Sequence, residues 1–143
     1  MTSLFAQPLA IWEREGLKAA LGRAGLPAHD IEAEGPLFWR FERDDVPVGF
    51  AGIEVHGTDA LLRSLVTLPP VRQRGVGGAM VAKMETEARA RGARAIYLMA
   101  DDGAFFAKLG YAPCAHDRVP PAIAASAPFA GERMGATAMV KAI

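Results

Sequence analysis

The 143-residue chain has one cysteine, three histidines and a single short basic cluster, and no apolar run approaches the roughly 20 residues that a membrane-spanning helix needs. Cys114 cannot close an internal disulfide and has no second thiol with which to hold a metal, so it reads as a small packed or half-exposed residue. His29, His56 and His116 stand far apart, without ligand-type spacing, and no metal is expected. Sixteen basic side chains balance sixteen acidic ones, which argues against a nucleic-acid partner. The N-terminus lacks a basic stretch followed by a hydrophobic one, and together with the missing apolar span this predicts a cytoplasmic protein away from membranes.

What is present is a 51% hydrophobic composition, enough to build one sizeable core in a single domain over 1–143, and a length too short for two ordinary domains. No internal repeat or low-complexity linker divides the chain. Leu17, Leu21 and Ala24 recur at helical spacing and predict a first helix over Ile11 to Ala24, stopped by Leu26-Pro27. Leu4 to Ala10 suits a short edge strand, and His29 to Glu34 a short turn of helix. From Leu37 the period changes to two, with Leu37, Trp39 and Phe41 on one side of a strand and Phe38, Arg40 and Glu42 on a wetter one.

Asp44-Asp45 with Pro47 marks a turn, Val48 to His56 resumes as a strand, and Gly57-Thr58-Asp59 turns the chain into Ala60 to Leu68, giving an antiparallel meander. Pro69-Pro70 ends it. Beyond, Val76, Met80, Met84 and Ala88 fall on one stripe of a long helix, with Glu85/Arg89 and Glu87/Arg91 as four-apart pairs on its exposed faces. Gly92 suits its end, and the apolar run Ala95 to Ala100 reads as a buried parallel strand. Asp101 or Asp102 can cap a helix over Gly103 to Leu109, stopped by Gly110. Tyr111 to Ala115 is a candidate strand, Pro120-Pro121 opens a short helical segment, Pro128 to Gly135 is irregular, and Ala136 to Ile143 suits a closing strand.

Between the meander and the long helix lies Arg72-Gln73-Arg74-Gly75-Val76-Gly77-Gly78, whose small residues let backbone N–H groups converge on an anion at the positive end of the helix. Isolated, such a segment is more often a glycine-rich turn with two solvated arginines, and its context has to decide. No Lys-Ser or Lys-Thr follows, so it is not a P-loop, and Met80 stands where a dinucleotide fingerprint needs its third glycine. Strand, loop, helix and strand form a right-handed crossover that places the anion trap at the carboxyl end of a strand.

The segment Arg72 to Gly77 resembles the Arg/Gln-x-x-Gly-x-Gly/Ala phosphate loop of the GNAT superfamily of acyl-CoA-dependent N-acetyltransferases. A second pattern of that family, a short helix ending in aromatic-x-x-x-Gly-aromatic, is similar to Phe106-Ala107-Lys108-Leu109-Gly110-Tyr111. Leu61-Leu62-Arg63-Ser64-Leu65, Ala104 to Tyr111 and Pro121-Ala122-Ile123 further resemble the small GNAT proteins associated with arsenic-resistance operons. The tail departs from those, with Met134-Gly135 where a Cys-Pro pair is expected.

The resemblance implies an α+β fold, a mostly antiparallel sheet whose central parallel pair splays around the cofactor, with helices on both faces. It implies acetyl-CoA as co-substrate, a small-molecule amine as acceptor and direct attack in a ternary complex. Leu65, Val66 and Thr67 would pair with the pantetheine arm, and the amides of Gln73, Arg74, Gly75, Val76, Gly77 and Gly78 would seat the pyrophosphate. Arg72 or Arg74 would meet a phosphate, and Phe105, Phe106 and Lys108 would border the cofactor's other side. Many members carry a tyrosine where this chain has Phe106, and that tyrosine is the usual acid for the leaving thiolate. Water, Tyr97 or Tyr111 would have to take its place, Tyr111 being expected in the core.

For the base, Glu54 is the first candidate, because a lone carboxylate in an apolar strand demands a partner or a cleft, and His56 is the second. The alternative puts both on the wet face of their strand. Arg63 and Ser64 stand out on the next strand, Arg63 either pairing with Glu54 or binding a substrate carboxylate. His116 and Asp117 suit either an acceptor mouth or a solvated turn. A rival function is a non-catalytic acyl-CoA-binding or regulatory module. Assembly stays open, with a homodimer as one option.

Overall fold

A computed structural model of the chain describes residues 4–26, 31, 35–68, 75–126, 129 and 136–143. Its elements run β1 (Phe5–Pro8), α1 (Arg14–Arg23), β2 (Leu37–Arg43), β3 (Val46–His56), β4 (Asp59–Thr67), α2 (Val76–Ala90), β5 (Ala95–Ala100), α3 (Gly103–Ala107), β6 (Ala112–Pro113), α4 (Pro121–Ala124) and β7 (Thr137–Ala142). The strands form one seven-stranded sheet in the order β1-β2-β3-β4-β5-β7-β6. β4 and β5 run parallel, whereas β1/β2, β2/β3, β5/β7 and β6/β7 are antiparallel. This is the mixed, mostly antiparallel sheet expected from the sequence. The residues group into two compact units, one of Met1–Ile53 and Ser64–Met84, the other of Glu54–Arg63 and Glu85–Ile143.

In the first unit the β2–β3 hairpin closes on Asp44 and Asp45, with φ of 52° and 62°. A two-residue turn with both central residues in the left-handed region matches the strands' own twist, and aspartate tolerates that region better than most residues. The wetter face expected of β2 is only partly wet, because Phe38 is as buried as Trp39 and Phe41 while Leu37 is exposed. Phe38 joins Leu9, Leu17, Leu21, Ile31, Phe50 and Val66 in one apolar cluster. The Arg14 guanidinium lies 4.9 Å over the Phe38 ring and donates to the carbonyls of Ile31 (3.0 Å) and Pro36 (3.1 Å). The first helix also starts differently, as a 3-10 turn over Ile11–Glu13 that leads into α1. The expected helical turn over His29 to Glu34 lies almost wholly outside the described residues, only Ile31 being included.

Gly49 of β3 sets how closely α2 can approach. A Cβ there would stand 2.5 Å from the Val66 carbonyl oxygen and 2.8 Å from the Met80 terminal methyl, distances that real side chains do not adopt. The predicted stripe Val76, Met80, Met84, Ala88 is fully buried, and Glu87 meets Arg91 at 2.7 Å as its spacing suggests.

In the second unit, β5 pairs with β7 from Ala95↔Ala142 to Ala100↔Thr137. Its burial alternates, with Ile96, Leu98 and Ala100 buried and Tyr97 and Met99 half-buried. One face is thus less covered than a uniformly apolar run suggests. That face packs against a small core of Leu61, Val119, Ile123 and Ala138, with Cys114 and Phe129 beside it. Asp102, not Asp101, caps α3, its Oδ1 accepting from the amides of Ala104 (3.1 Å) and Phe105 (3.3 Å). α3 ends at Ala107, earlier than expected, and β6 is two residues long. The segment Pro128 to Gly135 is outside the described residues except for Phe129.

Candidate functional site

The residues singled out from the sequence fall into three places. The first is the start of α2. Gly75 has φ +88°, and its carbonyl accepts the Ala79 amide at 3.0 Å, closing the first helical turn. The amides of Val76, Gly77 and Gly78 therefore have no carbonyl to pair with inside the helix. No acidic residue occupies that first turn, so the positive end of the helix is not neutralised locally. This arrangement fits a phosphate. Arg72, Gln73 and Arg74 lie outside the described residues.

The second place is β4. Ser64 has φ +57°, a left-handed conformation for a non-glycine residue within a strand. Such outliers cost of order 1–3 kcal/mol and concentrate at functional sites. The kink follows a parallel register with β5 that spans three pairs, Asp59↔Ala95 to Leu61↔Tyr97, and it precedes Leu65, Val66 and Thr67. Val66 is buried, while Leu65 and Thr67 are half-buried.

The third place is the second unit. Glu54 and Arg63 are brought together, Arg63 Nη1 donating to Glu54 Oε2 at 2.6 Å, and His56 Nε2 lies 3.3 Å from Glu54 Oε1. Side-chain exposure rises from 2% at Arg63 through 12% at Glu54 to 34% at His56. Of the two roles open to Arg63, the ion pair with Glu54 is the one formed. The two-apart spacing of Glu54 and His56 on a strand was the available signal that they share a face. Phe105 and Phe106 contact each other edge-on, with centroids 4.9 Å apart, and Phe106 contacts Tyr111 at 5.8 Å. Lys108 is exposed at the end of α3.

Tyr111 is buried, and its hydroxyl donates to Glu85 Oε2 at 3.0 Å. Burial first, then the Glu85 charge and the hydrogen bond to it, push the phenol far above its usual range. Lys141 Nζ donates to both Glu85 oxygens at 3.1 and 3.0 Å. Glu85 is thus buried in a cluster with Tyr111 and Lys141, not on an exposed helix face as the four-apart pairing with Arg89 suggested. Its partners are 26 and 56 residues away, beyond any local pattern. Tyr97 is also raised, by burial, then Asp59, then Cys114. His116 and Asp117 are exposed in a 3-10 turn, with the His116 ring edge-on to Phe129 at 6.4 Å.

Among solved structures, N-acetylglutamate synthase from Neisseria gonorrhoeae, complexed with coenzyme A and N-acetyl-glutamate, is 19% identical with a TM-score of 0.77. That match covers 99% of this chain and 35% of the synthase, so the chain spans about a third of that enzyme. Aminoglycoside 6'-acetyltransferase type Ii is 23% identical with a TM-score of 0.69, 96% of each chain being covered. PaiA N-acetyltransferase from Thermoplasma acidophilum, in complex with coenzyme A, is 16% identical with a TM-score of 0.67, and 99% of each chain is covered. At these identities the likeness is one of fold. No curated protein matches. The family model of the GNAT acetyltransferases matches residues 3–111, from the edge strand through the α2 start and the Phe106 to Tyr111 segment, and the chain belongs to the acetyltransferase (GNAT) family.

Proposed function

We propose that the protein is a single-domain, acetyl-CoA-dependent N-acetyltransferase that modifies the amine of a small molecule by direct attack in a ternary complex. The observation that carries this reading is the start of α2, where a left-handed Gly75 caps a helix whose first turn offers glycine amides and no acid. The neighbouring folds crystallised with coenzyme A support the donor. When bound, acetyl-CoA supplies an acetyl group activated as a thioester.

The residues proposed to hold it are the Leu65–Thr67 backbone for the pantetheine arm, the amides from Gln73 to Gly78 for the pyrophosphate, Arg72 and Arg74 for phosphate charge, and Phe105, Phe106 and Lys108 along its border. A backbone amide after the Ser64 kink would polarise the reacting carbonyl, and orientation by these contacts would carry much of the rate. Phe106 has no proton to give and Tyr111 keeps its own on Glu85, so the acid for the departing thiolate is solvent or Tyr97. Glu54 is the first residue we propose as the base and His56 the second, with Arg63 and Ser64 as further catalytic candidates.

The acceptor we propose is amino-acid-like or a toxic compound, arsenic-containing compounds included, handled in the cytoplasm. The synthase crystallised with N-acetyl-glutamate and the aminoglycoside acetyltransferase support small-molecule amines as a class. Phe106 favours a second reading, a non-catalytic acyl-CoA-binding module.

Isothermal titration should show acetyl-CoA binding that Gly77→Glu abolishes, because a carboxylate in the first turn opposes the phosphates. No binding at millimolar cofactor, or unaltered binding in Gly77→Glu, would sink the reading. Thiol release should then be followed over a panel of amino acids, phosphinothricin-like compounds and organoarsenicals. Binding without release throughout favours the module.

A further inference from the structure

We propose that a second copy of this chain docks on the β1 edge of the first unit, by antiparallel pairing of β1 with β1 about a two-fold axis at Ala6. The inference concerns a surface within that unit and is independent of the transfer reading above.

In the strand order β1 has one neighbour, β2, and its other side ends the sheet. The Leu9 amide donates to the Phe38 carbonyl at 2.8 Å, and the register Phe5↔Glu42, Gln7↔Arg40 continues from it along the strand. In an antiparallel ladder a residue bonds one neighbour at every second position, so Phe5 and Gln7 spend their backbone groups on β2 while those of Ala6 and Pro8 point outwards. Proteins shield such edges with charged side chains. The run Leu4-Phe5-Ala6-Gln7-Pro8 carries none, and Phe5 is 63% exposed on it.

Phe5 is not the only large apolar side chain there. Gln7 Oε1 accepts from Arg40 Nη2 at 3.0 Å, and Arg40 Nη1 lies 3.6 Å from Glu13 Oε2. Those contacts set the 3-10 turn Ile11–Glu13 over the side of β1 that carries Phe5 and Gln7, and Ile11 and Trp12 in that turn are 56% and 84% exposed. At roughly 200 Å² for a whole aromatic side chain, Phe5 and Trp12 alone offer about 300 Å² per copy. Each partner of a standard interface buries roughly 800 Å², of which this is a large part.

What fits this edge is the edge itself. With the axis at Ala6, the Ala6 amide of each copy donates to the Ala6 carbonyl of the other, each Leu4 amide reaches the Pro8 carbonyl of the other copy, and Phe5 stands opposite Gln7. An uncharged strand meets itself without bringing like charges together. Pro8 has no N–H to give, so the pairing stops where the strand does. A two-fold contact uses the same patch on both copies, and it therefore closes at a dimer instead of growing into a fibre.

Sedimentation equilibrium should give a dimer with a dissociation constant of about 10 μM. Ala6→Pro leaves the bonds to β2 intact and removes only the outward amides, so it should weaken the dimer about 30-fold. Phe5→Lys changes a side chain that is exposed in the single copy, where folding is not at stake, and should weaken the dimer about 100-fold. Circular dichroism should show both variants folded. Hydrogen exchange supplies a readout in the unmodified protein: the Ala6 amide should exchange more slowly as protein concentration rises, while the Gln7 amide, already paired with β2, should not change. A protein that stays monomeric up to about 1 mM would overturn the proposal. So would a dimer whose constant neither variant moves, or Ala6 exchange that is indifferent to concentration.

Discussion

Glu54 and Glu85 are buried to nearly the same depth, with side-chain exposures of 12% and 11%, and each sits between a cation and a second polar partner. Burial does not separate them. The partners do: Glu85 is held by a lysine ammonium and by a phenol that keeps its proton far above neutral pH, whereas Glu54 is held by an arginine and a histidine. In the first cluster both Glu85 oxygens accept from Lys141, and Oε2 also from the Tyr111 hydroxyl. The second ends in the half-exposed His56 ring, 3.3 Å from the carboxylate. Two carboxylates at one depth thus differ in the chemistry of what they touch.

The largest effects should come from removing either carboxylate. Glu85→Ala strands Lys141 and the Tyr111 hydroxyl, and Glu54→Ala removes the carboxylate paired with the buried Arg63 guanidinium, so each should cost about 3 kcal/mol in urea unfolding. A loss near zero for one of them would break the likeness in burial. Next in size is Tyr111→Phe, which removes one hydrogen bond to a charged group and should cost about 1.5 kcal/mol. That variant also has a pH signature. Native Tyr111 keeps its proton where the unfolded tyrosine, with an ordinary value of 10.0, loses it. The unfolded state thus binds fewer protons at high pH, and stability falls as pH rises past that value, by about 1.4 kcal/mol per pH unit. Stability curves should be steeper in the unmodified protein than in Tyr111→Phe above pH 10 and parallel below it. The smallest expected change is the stability of His56→Ala, within about 0.5 kcal/mol, since the ring is partly exposed and sits at the open end of its cluster.

The parts of this molecule legible in the sequence were those governed by local rules. The stripe Val76, Met80, Met84, Ala88 follows helical periodicity, Glu87 meets Arg91 one turn away, and Asp102 caps the helix that starts beside it. Pairing across strands was legible once, for Glu54 and Arg63, where a lone acid and a lone base faced each other in adjacent strands. Phe38 was misjudged because alternation along β2 says nothing of Arg14, which reaches its ring from a helix 24 residues earlier. Glu85 was misjudged for a similar reason, Lys141 lying 56 residues on. In both places a long-range partner overrode the local pattern.

Ser64 stood out in the sequence beside Arg63, but its backbone was not legible, since serine announces neither a kink nor a left-handed conformation. Its φ of +57° nevertheless leaves a prediction for how the position varies. In a saturation library, glycine, asparagine and aspartate at 64 should survive best, and valine and isoleucine should be the most depleted, the reverse of what a strand position normally selects. A residue whose tolerance follows a loop while its neighbours follow a strand would be visible in variation long before any ligand is soaked in.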